Sequence, residues 1–90
     1  MKKEFEQFLI GKGYKEYTPS GHPSTVYDYC KRIDTVCKWE NTDWNGLAIK
    51  IVSILPEYEE EGLKAHLGAK SHNAVRCALR CFEEFVAKSN

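Results

Sequence analysis

Ser24-Thr25-Val26-Tyr27-Asp28-Tyr29-Cys30-Lys31-Arg32-Ile33-Asp34-Thr35-Val36-Cys37-Lys38-Trp39-Glu40 is the stretch that decides the fold. Val26, Tyr29, Cys30, Ile33, Val36 and Cys37 recur at i, i+3, i+4 and i+7, the spacing of one face of an α-helix. Ser24 or Thr25 is suited to cap its start, because a hydroxyl oxygen can accept from the unsatisfied N–H groups of the first turn. Lys31 and Lys38, seven residues apart, fall on the opposite face. The helix should end near Trp39 or Glu40.

The neighbouring segments read the same way. Upstream, Phe5, Phe8 and Leu9 give a helix over 3–10, ended by Gly11 and Gly13. Residues 14–23 form a connector with Thr18-Pro19-Ser20-Gly21 as its turn. Downstream, Asn41 or Thr42 should cap a third helix with Leu47, Ala48, Ile51, Ile54 and Leu55 as its stripe. Pro56 lacks an N–H and disfavours helical angles at Leu55, so a break or kink is expected there. Residues 57–70 hold Gly62 and Gly68 and read as loop with at most one helical turn. Ser71 should cap a last helix whose apolar face holds Val75, Ala78, Leu79, Phe82, Phe85 and Val86. Arg76 and Arg80 are expected on its outer face, with Glu84 paired to Arg80 and Lys88. No strand pattern and no internal repeat is present. The expectation is a single all-α domain over 1–90, a compact four-helix bundle.

Composition narrows the function. Ninety residues support one core, and a hydrophobic fraction of 42% argues against disorder. Formal net charge is zero, which is unusual for a nucleic-acid partner. The distribution is segmental, however. Glu57, Glu59, Glu60 and Glu61 precede a stretch from Leu63 to Phe82 that has no acid and carries Lys64, Lys70, Arg76 and Arg80. Met1-Lys2-Lys3 is followed by Glu4 and Glu6 instead of an apolar run, so no signal peptide is read and a cytoplasmic location is expected. No stretch is long enough to cross a membrane. The four cysteines then read as reduced thiols. None forms the close pair of a zinc knuckle, so no metal and no cofactor is expected. Cys30 and Cys37 read as core residues. Cys77 projects off the apolar face and is exposed unless a neighbouring helix covers it. His22, His66 and His72 form no ordered nucleophile–base arrangement with any cysteine, so neither an enzyme nor a small-molecule substrate is expected. Trp44 reads as core, whereas Trp39 is open between packing and facing a partner.

Two surfaces remain. Lys70-Ser71-His72-Asn73 at the start of the last helix, with Arg76 and Arg80 further along, would suit a phosphate at the helix tip. Thr25, Tyr27, Lys31 and Lys38 give the second helix a similar outer face.

The order of elements resembles the N-terminal SAM-like, or core-binding, domain of phage-integrase-type tyrosine recombinases. Glu4-Phe5-Glu6-Gln7-Phe8-Leu9 is similar to its opening helix. Thr25-Val26-Tyr27-Asp28-Tyr29 fits a Thr-aliphatic-x-x-Tyr opening of the second helix. Lys70-Ser71-His72-Asn73-Ala74, with Ala78-Leu79-Arg80-Cys81-Phe82-Glu83-Glu84-Phe85, is similar to the closing helix. The resemblance implies a SAM-like bundle that clamps double-stranded DNA through its second and fourth helices. Contacts then fall to Thr25, Lys31, Lys38, Ser71, Asn73, Arg76 and Arg80. Ala74 stands where many relatives have Thr, and the neutral net charge departs from the usual basic balance. The catalytic domain of that family does not fit in 90 residues, so the resemblance implies an excised domain or a free-standing protein that is non-catalytic. The alternative expectation is a protein-interaction module, a small regulator or inhibitor of phage or mobile-element origin.

Overall fold

In the computed structural model, which describes residues 1–89, five helices follow one another: α1 (Lys2–Gly11), α2 (Thr25–Trp39), α3 (Trp44–Tyr58), α4 (Ala65–Gly68) and α5 (Lys70–Ser89). Four are long, and α4 is the single turn within the glycine-bearing segment. The all-α bundle expected from the apolar spacing is the observed architecture. Among the described residues the only extended pairing is one antiparallel bridge, Tyr17 to Pro23, which folds the α1–α2 connector on itself.

Helix ends explain the boundaries. After α1, Gly13 adopts φ +102°, its N–H bonds to the Ile10 carbonyl, and the Tyr14 N–H reaches back to Leu9. That closing pattern needs a left-handed residue, which glycine supplies without a Cβ clash. The end of α2 repeats it with Asn41 at φ 53°, and the Thr42 N–H bonds to the Cys37 carbonyl. Asn41 and Thr42 therefore end α2 instead of capping α3. The cap of α3 is Asp43, whose carboxylate accepts from the Gly46 N–H at 2.8 Å. Pro56 sits in the last turn of α3. The helix runs two residues past it and stops at Tyr58, with Glu59 extended at ψ 173°.

α5 is the axis of the fold, because it packs against each of the other four helices. The predicted stripe of α5 is buried at Val75, Ala78, Leu79, Phe82 and Phe85, and the α2 stripe at Val26, Cys30, Ile33, Val36 and Cys37. Phe5 of α1 sits among Phe82, Phe85 and Trp44 at centroid distances of 5.4, 5.5 and 5.8 Å. Edge-on contacts of this kind add to the burial of large apolar rings. Trp44 packs on the core, and its indole N–H donates to the Asp34 carboxylate at 2.7 Å.

Between α4 and the regular part of α5, Ser71, His72 and Asn73 have φ of 54°, 57° and 68°. Three successive non-glycine residues in the left-handed region cost about 1–2 kcal/mol each. Right-handed helix starts at Ala74. Ser71 is therefore not an N-cap, since a capping residue is extended.

Candidate functional site

The left-handed turn changes what the last helix presents. Arg76, expected on the outer face, is 5% exposed. Its Nε donates to the Tyr58 carbonyl at 3.0 Å, one terminal nitrogen to the Ala65 carbonyl at 3.2 Å, and the other to Asn73 Oδ1 at 2.9 Å. The Tyr58 carbonyl belongs to the last turn of α3 and has no partner within that helix. Arg76 thus ties the end of α3, α4 and the turn before Ala74 together, and is not on the outer surface. Arg80 is exposed, but its guanidinium is forked onto Glu59 through contacts of 3.1, 3.2 and 3.1 Å. Glu60 and Glu61 lie beside it. Glu84, expected to pair with Arg80 and Lys88, instead accepts from Lys12 of the α1 end. Both arginines are therefore committed to contacts within the chain.

The remaining candidates are placed as follows. Ser71 and Asn73 are exposed in the left-handed turn, with the Asn73 side chain turned to Arg76. Thr25 is half-buried at the first residue of α2. Lys31 and Lys38 are exposed on the outer face of α2, and neither enters an ion pair among the described residues. The Lys31 ammonium lies 5.5 Å from the Tyr27 ring centre.

A second polar cluster, absent from the sequence reading, joins the C-terminal ends of α2 and α3. The Glu40 carboxylate, nearly buried, accepts from the Tyr58 hydroxyl at 2.7 Å and from Lys64 at 2.6 Å, with Lys50 at 3.8 Å. Burial alone would raise the Glu40 carboxyl. The bonds from Lys64 and Tyr58 outweigh it and hold the group below the usual carboxylate range. Burial, together with the bond to Glu40, pushes the Tyr58 hydroxyl up. Trp39 stacks on Tyr58 at 6.4 Å with 13° between planes, and still leaves 38% of its surface open. It packs and faces solvent at once.

The thiols divide by depth. Burial pushes Cys30 and Cys37 up to about 11, which makes them poor nucleophiles. Cys77 is half-buried, and beside it Tyr29 of α2 has its hydroxyl pushed up, by burial first and then by Cys77. Cys81 is also half-buried, next to Tyr14, and burial raises it. Among the described residues no group of three or more His, Cys, Asp and Glu side chains could hold a metal ion, and no helix is long and apolar enough to cross a membrane.

The least expected surface is the outer face of α3. Ile49 is 87% exposed and Val52 70% exposed, one turn apart, with Pro56 exposed further along. Ile49 also forms part of the wall of a groove of about 400 Å³ between α3 and the end of α5, lined further by Met1, Asn45, Ala48, Phe85, Val86 and Ser89. The readable signal is that α3 is apolar on both sides, which a helix with one buried stripe does not require.

No protein-family model, no curated protein and no solved structure matches this chain.

Two measurements test these assignments. Arg76→Met should lower stability by about 2–4 kcal/mol in urea unfolding at pH 7, because it leaves the buried Tyr58 carbonyl without a donor and removes a buried charge from Asn73 and the Ala65 carbonyl. Arg80→Met should cost under about 1 kcal/mol, since its ion pair is exposed. Equal losses would remove Arg76 from its role as a clasp. For Glu40, a carboxyl held low in the folded state stabilises the fold above its unfolded pKa. That stability disappears as pH falls through the lower, folded value. Glu40→Gln should therefore cost about 1–2 kcal/mol at pH 7 and flatten the acid limb of the stability profile. An acid limb identical to that of the parent chain would contradict the assignment.

Proposed function

We propose that this chain is a non-catalytic interaction module that docks an apolar protein surface through the outer face of α3. The observation that carries the reading is the pair Ile49 and Val52, open to water at a groove that Ile49 forms with Met1, Ala48, Phe85 and Val86. Fully burying aliphatic side chains of this kind is worth about 1.5–3 kcal/mol each, and the fold itself leaves that gain untaken. The commitment of Arg76 and Arg80 to internal partners supports the same choice over an electrostatic one. In a test, a photoreactive phenylalanine analogue replaces Val52 in one variant and Lys38 in another, and both are irradiated in the cells that make the protein. A discrete protein adduct at position 52, with none at 38, is expected. Adducts at neither position, or equally at both, would rule the α3 face out.

A second reading, binding of double-stranded DNA, is supported by the unpaired ammonium groups of Lys31 and Lys38 on one face of α2, with Thr25 at its start. The resemblance to a recombinase core-binding domain points the same way. Ser71 and Asn73 are the remaining contacts on this reading. Gel retardation of random duplex should then weaken steeply with salt, with a log–log slope of about −2 from these two lysines. Lys31→Glu with Lys38→Glu should abolish retardation. Retardation absent at low salt, or unchanged in the double variant, would exclude this face.

A further inference from the structure

The start of α2 borders a pocket that neither reading above uses. Its volume is about 300 Å³, and it is lined by Glu6, Glu16, Tyr17, Val26 and Tyr27. Three parts of the chain supply these walls: Glu6 comes from α1, Glu16 and Tyr17 from the connector, Val26 and Tyr27 from α2. Backbone bonds hold the connector in place. The Ser24 N–H donates to the Glu16 carbonyl at 2.9 Å, the Val26 N–H donates to the Lys15 carbonyl at 3.2 Å, and Tyr17 bridges to Pro23. The walls are therefore set without a ligand.

Their chemistry selects a cation. Glu6 and Glu16 enter no ion pair among the described residues, and no basic residue lines the pocket. Lys15 lines the neighbouring hollow instead. Tyr17 and Tyr27 are 60% and 51% exposed, so two phenols stand open beside two uncompensated carboxylates. The face of an aromatic ring attracts positive charge. Tyr27 already does so within the chain, since the Lys31 ammonium lies 5.5 Å from its ring centre.

The kind of cation follows by comparison. A hard divalent ion takes six or more oxygens, which two carboxylates do not supply. A primary ammonium is compact and strongly hydrated, and gives up its water reluctantly. A methylated ammonium spreads the same charge over an apolar surface, which aromatic rings recognise. A phosphocholine head group would bring its phosphate against Glu6 and Glu16.

We infer that this pocket binds a quaternary ammonium group, with Tyr17 and Tyr27 against its methyls and Glu6 and Glu16 balancing its charge. Two sources carry that group without a phosphate, a trimethylated lysine side chain and a free choline-like molecule.

Amide NMR titration of the full chain with choline chloride, at constant ionic strength, tests this. Saturable shifts at Glu16, Tyr17, Val26 and Tyr27 are expected, with Kd on the order of millimolar. Dimethylbutanol, the neutral isostere in which carbon replaces nitrogen, should bind at least about fivefold more weakly. Tyr17→Leu and Tyr27→Leu should each weaken choline about two- to fivefold, and Tyr27→Phe should not. Trp39→Leu, an exposed aromatic elsewhere, should leave binding unchanged. The isostere comparison uses the parent chain, so it decides even where a variant misfolds. Tighter binding of acetylated trimethyllysine amide than of choline would assign the methylated side chain as the source, and equal or weaker binding the free molecule. No saturable shift up to about 50 mM choline would overturn the inference. Equal affinity for dimethylbutanol, or indifference to both Tyr→Leu changes, would do the same.

Discussion

The guanidinium of Arg76 is the tie on which the position of α5 depends. Three of its nitrogens reach carbonyl oxygens on α3, on α4 and on the Asn73 side chain. One of those acceptors, the Tyr58 carbonyl, is buried and has no other donor, and an unsatisfied interior oxygen is expensive. With the donor in place, the end of α3 and the turn of α4 close over the start of α5. The axial helix is thereby fixed at one end by hydrogen bonds. At its other end it is fixed by the cluster of Phe5, Phe82, Phe85 and Trp44. A bundle this small has little apolar area to spare, so directional ties of this kind fix its geometry.

The pairing of charges follows from the same arrangement. Glu59 takes Arg80, Glu40 takes Lys64 and Lys50, and Glu84 takes Lys12. These pairs connect residues far apart in sequence and take up Glu59 of the acidic bend and Lys64 and Arg80 of the basic stretch after it. Among the surfaces left over are a neutral outer α3 and the two lysines on the outer face of α2. The segmental polarity visible in the sequence is cancelled in part once the segments fold against each other, through Glu57 with Lys64 and Glu59 with Arg80.

The elements were legible where a periodic apolar stripe met a strong end signal. The α2 and α5 stripes emerge from spacing alone, which marks all of their buried apolar residues. Less was legible where tertiary context decides. Asn41 looks like the start of α3 because asparagine caps helices well, yet it also tolerates positive φ, and here it ends α2. Arg76 looks exposed because arginine usually is, and nothing local reveals that two carbonyls from other helices converge on it. Ser71, His72 and Asn73 contain no glycine to announce a left-handed turn. Of the candidate residues, Lys31 and Lys38 lie on the outer face as read. Ile49 and Val52 fall outside the stripe that explains how α3 is buried, so apolar spacing does not single them out.

The left-handed turn also limits how this sequence can drift. A mirror-image bend made of serine, histidine and asparagine has no spare conformational tolerance. Glycine or asparagine can enter there cheaply, while valine, isoleucine or threonine would be strained at positive φ. Rewinding those three positions would join α4 and α5 into one longer rod and carry Asn73 away from Arg76. Ancestral or descendant versions of this chain should therefore keep residues that tolerate positive φ at 71–73.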